Sequence, residues 1–313
     1  MDPQPNPHGI RMSCYSPLRG FKAKDGRWVS KRPSDCAPIK MNVACGQCFG
    51  CRHDRARHWA ARIQHEAQQW NDNCFLTLTY EDEKMPRLFT GGPGTLVKAH
   101  FQKFMKRLRH HFKDTRIRYY GCGEYGDENE RPHYHLCCFN LSFSDQELYR
   151  HNNGYPLFIS ETLNKLWGYG FATIGQLTYE TAAYTSRYCL KKITGPLAHE
   201  HYLRVDDYGV CYWLEPEFTL MSRRPGIGRE WIDQFQSDVY PSDEVPIPGS
   251  GTHKGVPRYY DKVLEKVDPK LYEEVKANRA QYAQQHPLEF SPQRLEAKYK
   301  CQKALKQHLK RNL

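Results

Sequence analysis

Apolar and polar residues alternate most cleanly over Cys74-Phe75-Leu76-Thr77-Leu78-Thr79-Tyr80, which predicts a strand. Two more strands are expected over 116–122 and 133–141, with a turn at 124–131 between them, and a fourth over 171–177. Helical spacing governs other stretches. Ala56, Trp59, Ala60, Ile63, Ala67 and Trp70 share one face of a helix over 53–70, with Arg55, Arg57 and Arg62 opposite. Val97, Phe101, Phe104, Leu108 and Phe112 form the apolar stripe of a helix over 96–112, and Lys98, Lys103, Lys106, Arg107 and Arg109 crowd its other side. Short helices are expected over 145–150 and 161–167, before Gly168 and Gly170 break the chain. A helix over 181–193 ends at Gly195-Pro196. Residues 199–220 read as a hairpin turning at Asp207-Tyr208-Gly209. Polar helices are expected over 259–266, 269–285 and 292–310.

This order of strand, helix, strand, strand, helix, strand predicts an α+β fold with a central antiparallel sheet flanked by helices. Residues 1–52 read as an irregular leader with a Cys-rich knuckle, because Asp2-Pro3-Gln4-Pro5-Asn6-Pro7 suits neither a helix nor a central strand. An Asp25-Gly26 hairpin signal interrupts it. Residues 53–239 form the main domain. The Pro-, Gly- and Ser-rich stretch 240–258 reads as a linker, and 259–313 as a basic helical tail.

The 39% hydrophobic fraction of the 313-residue chain excludes wholesale disorder. A net charge of +11 favours a polyanionic partner, above all nucleic acid. The first twenty residues contain no apolar signal-peptide core, and no apolar run is long enough to span a membrane. The 12 cysteines therefore suit a reducing compartment, as free thiols or metal ligands.

His133 and His135 lie two apart on a predicted strand, so their imidazoles share a face. Pairing of the flanking strands brings the carboxylate of Glu124 beside them. Two imidazoles and one carboxylate leave coordination positions open, which suits Mg²⁺ or Mn²⁺ polarising a phosphate. Cys137 shares the histidine face and is expected in the core. Tyr184 and Tyr188 lie four apart on a predicted helix, with Lys191 continuing the stripe. Such a stripe by itself more often marks a buried face; beside a metal triad and a basic surface, it points to a phenolic nucleophile. In Cys45-Gly46-Gln47-Cys48-Phe49-Gly50-Cys51, two overlapping Cys-x-x-Cys pairs make Cys45, Cys48 and Cys51 candidate ligands of a structural Zn²⁺, with Cys14 and Cys36 as further candidates. The bland alternative is a group of free thiols near a helix start.

These residues carry a family resemblance. Phe75-Leu76-Thr77-Leu78-Thr79-Tyr80, Pro132-His133-Tyr134-His135-Leu136 and Tyr188-Cys189-Leu190-Lys191 resemble, in order, the three motifs of HUH-type rolling-circle replication initiators. Tyr184 before Tyr188 resembles the two-tyrosine variant of bacteriophage initiators. The knuckle, Cys122-Gly123-Glu124-Tyr125-Gly126 and Trp167-Gly168-Tyr169-Gly170-Phe171 are similar to the gokushovirus branch of the Microviridae, which are small single-stranded DNA phages. The likeness covers roughly residues 40–225. It implies an HUH/Rep endonuclease domain with an RNA-recognition-like sheet. It also implies metal on Glu124, His133 and His135, and attack by Tyr184 or Tyr188 on single-stranded DNA at the viral origin. The products implied are a 5′-phosphotyrosine and a free 3′-OH, with later rejoining of the strand. Lys191 would orient the metal or tyrosine, or neutralise the phosphate. With no Gly-x₄-Gly-Lys-[Ser/Thr] motor motif in the chain, a host helicase and DNA polymerase are the expected partners, in the cytoplasm of a bacterial host. Competing readings are an HUH transposase or relaxase of the same chemistry, a non-catalytic zinc-containing nucleic-acid-binding protein, and a hydrolase using water.

Overall fold

A computed structural model of the protein describes residues 13–23, 27–32, 39–152, 154–188, 192–193, 195, 197–249 and 251–311. The leader is less irregular than expected. β1 (Leu18–Lys22), β2 (Trp28–Val29) and β3 (Ile39–Val43) form a small antiparallel sheet in the order β2-β1-β3. The Asp25-Gly26 turn between β1 and β2 lies outside the described residues. A long helix, α1 (Phe49–Ala67), follows, and begins inside the Cys-rich knuckle rather than after it.

The central elements follow the expected order: β4 (Asn73–Thr79), α2 (Lys98–His111), β5 (Arg118–Tyr125) and β6 (Pro132–Phe139). Next come β7 (Glu147–Asn152), β8 (Tyr155–Ile159), α3 (Glu161–Trp167), β9 (Ala172–Gln176) and α4 (Tyr179–Tyr188). Beyond them lie α5 (Leu197–Tyr202), β10 (Leu203–Val205), β11 (Cys211–Trp213) and β12 (Phe218–Met221). Strands β12-β5-β6-β4-β9-β8-β7 make one seven-stranded sheet, antiparallel at every pairing. Within it, β4 and β5 flank β6, and β6 and β9 flank β4, so each crossover helix closes a split βαβ unit.

Alternation gives the sheet two different faces. Leu76, Leu78, Tyr134, Leu136 and Cys138 are buried together with Phe101, Phe104 and Leu108 of α2 and Leu163 and Trp167 of α3. Phe75, Tyr120, Cys137 and Phe139 are buried on the other side with Ile63 of α1 and Ala182 of α4. Buried polar groups in these layers have partners. The Trp167 indole N–H donates to the Thr79 carbonyl at 2.7 Å. Arg107 donates to the carbonyls of Leu166 and Trp167 at 2.7 Å each, closing the end of α3. Each such buried donor would cost about 1–3 kcal/mol if left unpaired.

Three local expectations need correction. The stretch expected as a helix over 145–150 becomes β7, exposed along its length and paired with β8. Asp145 instead serves α3: its carboxylate accepts from the Ser160 hydroxyl (2.7 Å) and the Thr162 N–H (2.9 Å), while Ser160 caps the helix. The hairpin expected over 199–220 is divided, with α5 at its start, β10–β11 around the turn, and β12 recruited to the edge of the main sheet. The helix expected over 181–193 starts two residues early, and Ile193 lies beyond it.

The remaining elements are α6 (Arg229–Gln234), α7 (Gln236–Val239), β13 (Glu244–Ile247), β14 (Gly251–Lys254), α8 (Arg258–Val267), α9 (Pro269–Gln285) and α10 (Pro292–Arg311). The stretch expected to be a linker is therefore a β13–β14 hairpin, whose Val245 and Ile247 are buried with Ala61, Trp231 and Tyr260. That packing changes α1. Arg62, expected on a solvated face, is buried between the rings of Trp59 and Tyr259, each 4.1 Å away, and donates twice to the Ile227 carbonyl. The periodicity of α1 marks one apolar face. A second one is made by elements far along the chain, which no local pattern reveals.

Candidate metal centre and tyrosine groove

Register builds the centre. β5 runs three residues further than expected, so Glu124 lies within the strand, directly opposite His133. His135 lies opposite Cys122 of β5 on one side and Thr77 of β4 on the other. All of these side chains fall on the α1/α4 face by the period-two rule. The result is a compact group in which the ligand atoms of Glu124, His133 and His135 lie within 4.8 Å of one another. Glu124 and His135 are buried, 1% and 5% exposed, whereas His133 reaches the surface.

Both imidazole Nε2 atoms converge on Glu124 Oε1, His133 at 2.8 Å and His135 at 3.1 Å. Burial works to raise the Glu124 carboxyl pKa, but the hydrogen bonds with His133 and His135 outweigh it and hold the group below the ordinary carboxylate range. His133 Nδ1 lies 2.9 Å from the Arg131 carbonyl, an acceptor, so it carries the proton there. Neutral in that tautomer, His133 would aim its Nε2 lone pair at a carboxylate oxygen. A cation between them, a proton or a metal ion, removes the conflict. A backbone carbonyl behind one imidazole and Thr77 Oγ1 behind the other (3.1 Å from His135 Nδ1) are the supports expected around metal-binding histidines. The three residues thus fit a divalent cation with open coordination positions.

Tyr184 of α4 packs against this centre: its ring meets that of His135 edge-on, with centroids 5.2 Å apart. Phe75 stacks on the same imidazole from β4 at 5.3 Å. His135 and Tyr184 open onto a groove of about 560 Å³ whose far walls carry Arg150, Tyr155, Phe171 and Arg187. Tyr188 closes α4, but its side chain, and Lys191 entirely, lie outside the described residues. Cys137 is fully buried, with its Sγ 3.6 Å from Thr185 Oγ1, and stands apart from the ligand group as expected.

A second group lies at the start of α1. Cys45, Cys48 and Cys51 come together with Cys14, their Sγ atoms all within 4.8 Å of one another. Cys36 lies outside the described residues. The sequence motif points to three of these sulfurs; only the fold singles out Cys14 as the fourth. Thr77 was likewise visible only as part of a strand motif, although its period-two position on β4 already placed it on the histidine face.

Residues 73–193 match the family model of the ORF2-type replication-associated proteins. The chain is 36% identical over 276 residues to the replication-associated protein ORF2 of Spiroplasma virus 4, covering 82% of this chain and 81% of that one. It is 30% identical over 275 residues to the replication-associated protein VP4 of Bdellovibrio phage phiMH2K, covering 85% and 81%. A shorter likeness, 29% over 162 residues, links it to the replication-associated protein ORF4 of Chlamydia phage 1, with 48% and 38% covered. No solved structure matches it. The matched window opens at the first residue of β4 and closes just past α4, so it contains the whole metal centre and its tyrosines. With likeness to two relatives reaching over four-fifths of each chain, the protein belongs to the phage replication-associated proteins, a family of rolling-circle replication initiators.

Proposed function

We propose that the protein nicks single-stranded DNA at a phage origin by tyrosine transesterification and later rejoins the strand. The observation that carries this reading is the convergence of Glu124, His133 and His135 beside the Tyr184 ring in an open groove. Mg²⁺ or Mn²⁺ held by these three residues would polarise the scissile phosphate. The phenolic oxygen of Tyr184 or Tyr188 attacks phosphorus, and the bond to the 3′-oxygen breaks. The phenol gives up its proton as the new bond forms, and the leaving 3′-oxygen takes one up. The products are a 5′-phosphotyrosine and a free 3′-OH that primes synthesis. The second tyrosine cuts the regenerated origin, and the released 3′-OH attacks the phosphotyrosine to rejoin the strand.

The residues around the centre have consistent roles. Phe75 and Thr77 fix the His135 ring. Tyr155 and Phe171, both exposed, offer stacking surfaces for bases, and Arg150 and Arg187 offer charge to the backbone, the usual combination for single strands. Lys191 would orient the nucleophile or neutralise phosphate. The chain carries no motor motif, so strand separation and synthesis fall to a helicase and polymerase of the bacterial host, in its cytoplasm. No helix among the described residues is long and apolar enough to cross a membrane.

The test is a denaturing gel of purified protein with labelled origin-type single-stranded DNA and Mn²⁺. A protein–DNA adduct that disappears with chelator and with Tyr184→Phe/Tyr188→Phe is expected. Cleavage without an adduct would indicate water as nucleophile, and binding without cleavage across several origins would indicate a non-catalytic module.

A further inference from the structure

We propose that Cys14, Cys45, Cys48 and Cys51 hold a structural Zn²⁺ in a tetrathiolate site, separate from the metal centre on the sheet, that ties the N-terminal segment to the start of α1. Thiolates about 2.3 Å from a tetrahedral zinc stand about 3.8 Å from one another. The Cys14–Cys48 and Cys45–Cys51 sulfurs are 3.8 and 4.0 Å apart. These separations are far too long for disulfides, and bridging sulfides of an iron–sulfur cluster would spread the thiolates further. A tetrathiolate with no open position is the pattern of a structural rather than a catalytic zinc.

The backbone around the sulfurs is arranged for anionic ligands. Gly46 adopts a left-handed conformation, φ +72°, and the chain after it turns so that the N–H groups of Gln47 and Cys48 donate to Cys45 Sγ at 3.4 and 3.2 Å. The N–H of Cys45 donates to Cys14 Sγ at 3.4 Å. The approach of the distant ligand is also built in. A Cβ on Gly50 would lie 2.2 Å from the Ser13 carbonyl oxygen, so only glycine lets the Ser13–Cys14 backbone lie against the first turn of α1. The Ser13 hydroxyl then donates to Asp54 one helical turn on, at 2.9 Å. The knuckle also reaches the nucleophile's surroundings, because Arg52 donates to the Lys192 carbonyl, just beyond α4, at 3.3 Å.

The site is tested on the full chain, purified under reducing conditions without added metal. Elemental analysis is expected to find one zinc per chain, retained in His133→Ala/His135→Ala and lost in Cys48→Ser. Cobalt substitution is expected to give the intense thiolate-to-cobalt absorption and visible bands of a tetrahedral sulfur site. Alkylation of the unaltered protein avoids any folding defect of the variants. Cys14, Cys45, Cys48 and Cys51 are expected to resist iodoacetamide until a strong chelator is added, while the exposed Cys211 and Cys301 react throughout. Absence of zinc, its loss with the histidine pair, iron in its place, or equal reactivity of all six thiols before chelation would each overturn the proposal.

Discussion

Thr77 stands at the hinge between chemistry and packing. Its hydroxyl holds His135 Nδ1, and its neighbours on the strand are core residues. Thr77→Val keeps the shape and β-propensity of the position but removes the hydrogen bond. We expect Mn²⁺ affinity to fall about 10- to 100-fold, the usual cost of losing such a support, with the thermal midpoint little changed. Calorimetric titration with Mn²⁺ and a melting curve check the two halves. Tyr184→Phe separates the two phenols. If Tyr184 is the initiating nucleophile, adduct formation on origin DNA falls at least about 1,000-fold, by analogy with loss of other covalent nucleophiles. Retained first-strand cleavage would assign that step to Tyr188. At this scale much was legible. His133 and His135 follow from alternation, and Glu124 from the pairing of two strands. Cys14 was only one of two distant candidates, because 31 positions separate it from Cys45 and no periodicity links them.

Elements bring these residues together, and Gly170 shows how narrowly. The segment from Trp167 to Phe171 leaves α3 through Gly168, which adopts φ +72° as its cap. It then pairs with the end of β4: Thr79 N–H donates to Phe171 O at 2.9 Å and Glu81 N–H to Tyr169 O at 3.0 Å. Gly170 sits between those bonds at φ +152°, where a Cβ would lie 2.3 Å from Glu81 N and 2.6 Å from Thr79 O. Those neighbours are backbone and have little room to yield. Gly170→Ala should therefore cost about 2–4 kcal/mol, at the large end for single substitutions, measured by urea unfolding. An unchanged midpoint would refute this close approach. Strands and the long helices could be read from the chain because their apolar positions repeat. β7 could not, since its six residues are all exposed and carry no alternation, and Asp145, a plausible helix start, caps a helix further on.

The whole molecule is held by contacts from its C-terminal third onto α1. His65 is fully buried, stacked on Trp231, with Nε2–H donating to Pro246 O at 2.7 Å and Nδ1 accepting from the Tyr260 hydroxyl at 2.8 Å. Burial pushes its pKa down to about 4. The unfolded imidazole takes up its proton near 6.5 and the folded one only near 4, so in that window the unfolded chain binds more protons. Stability therefore falls as pH drops through it, by up to about 3 kcal/mol from this residue at pH 4. His53, His58 and His253 are also pushed down to about 4, chiefly by burial, and act in the same direction. Urea unfolding at pH 7.5 and pH 5 should show the loss, and His65→Gln should be less stable at pH 7.5 with a shallower acid slope. Arg279 of α9 provides a second tie. It donates to both oxygens of Asp243 and to both of Asp261, while the Tyr240 hydroxyl donates to Asp261. Arg279→Ala leaves two half-sequestered carboxylates facing each other, and we expect about 3–5 kcal/mol of destabilisation, read as a lower thermal midpoint. This level was the least legible: the contacts of His65 join α1 to residues 181 and 195 positions away, and the segment that makes many of them has the composition of a spacer.

The pairing of β5 with β6 has one more consequence, for how such chains can change over generations. Glu124 faces His133 only because the two strands are counted in step. One residue gained or lost between Arg118 and Glu124 would turn the carboxylate to the opposite side of the sheet, into the apolar layer beneath α2, with every motif letter still in place. Substitution can therefore roam over this hairpin, while length variation is confined to the Asp127–Glu130 turn. A descendant sequence that keeps the letters but alters the spacing has lost the site.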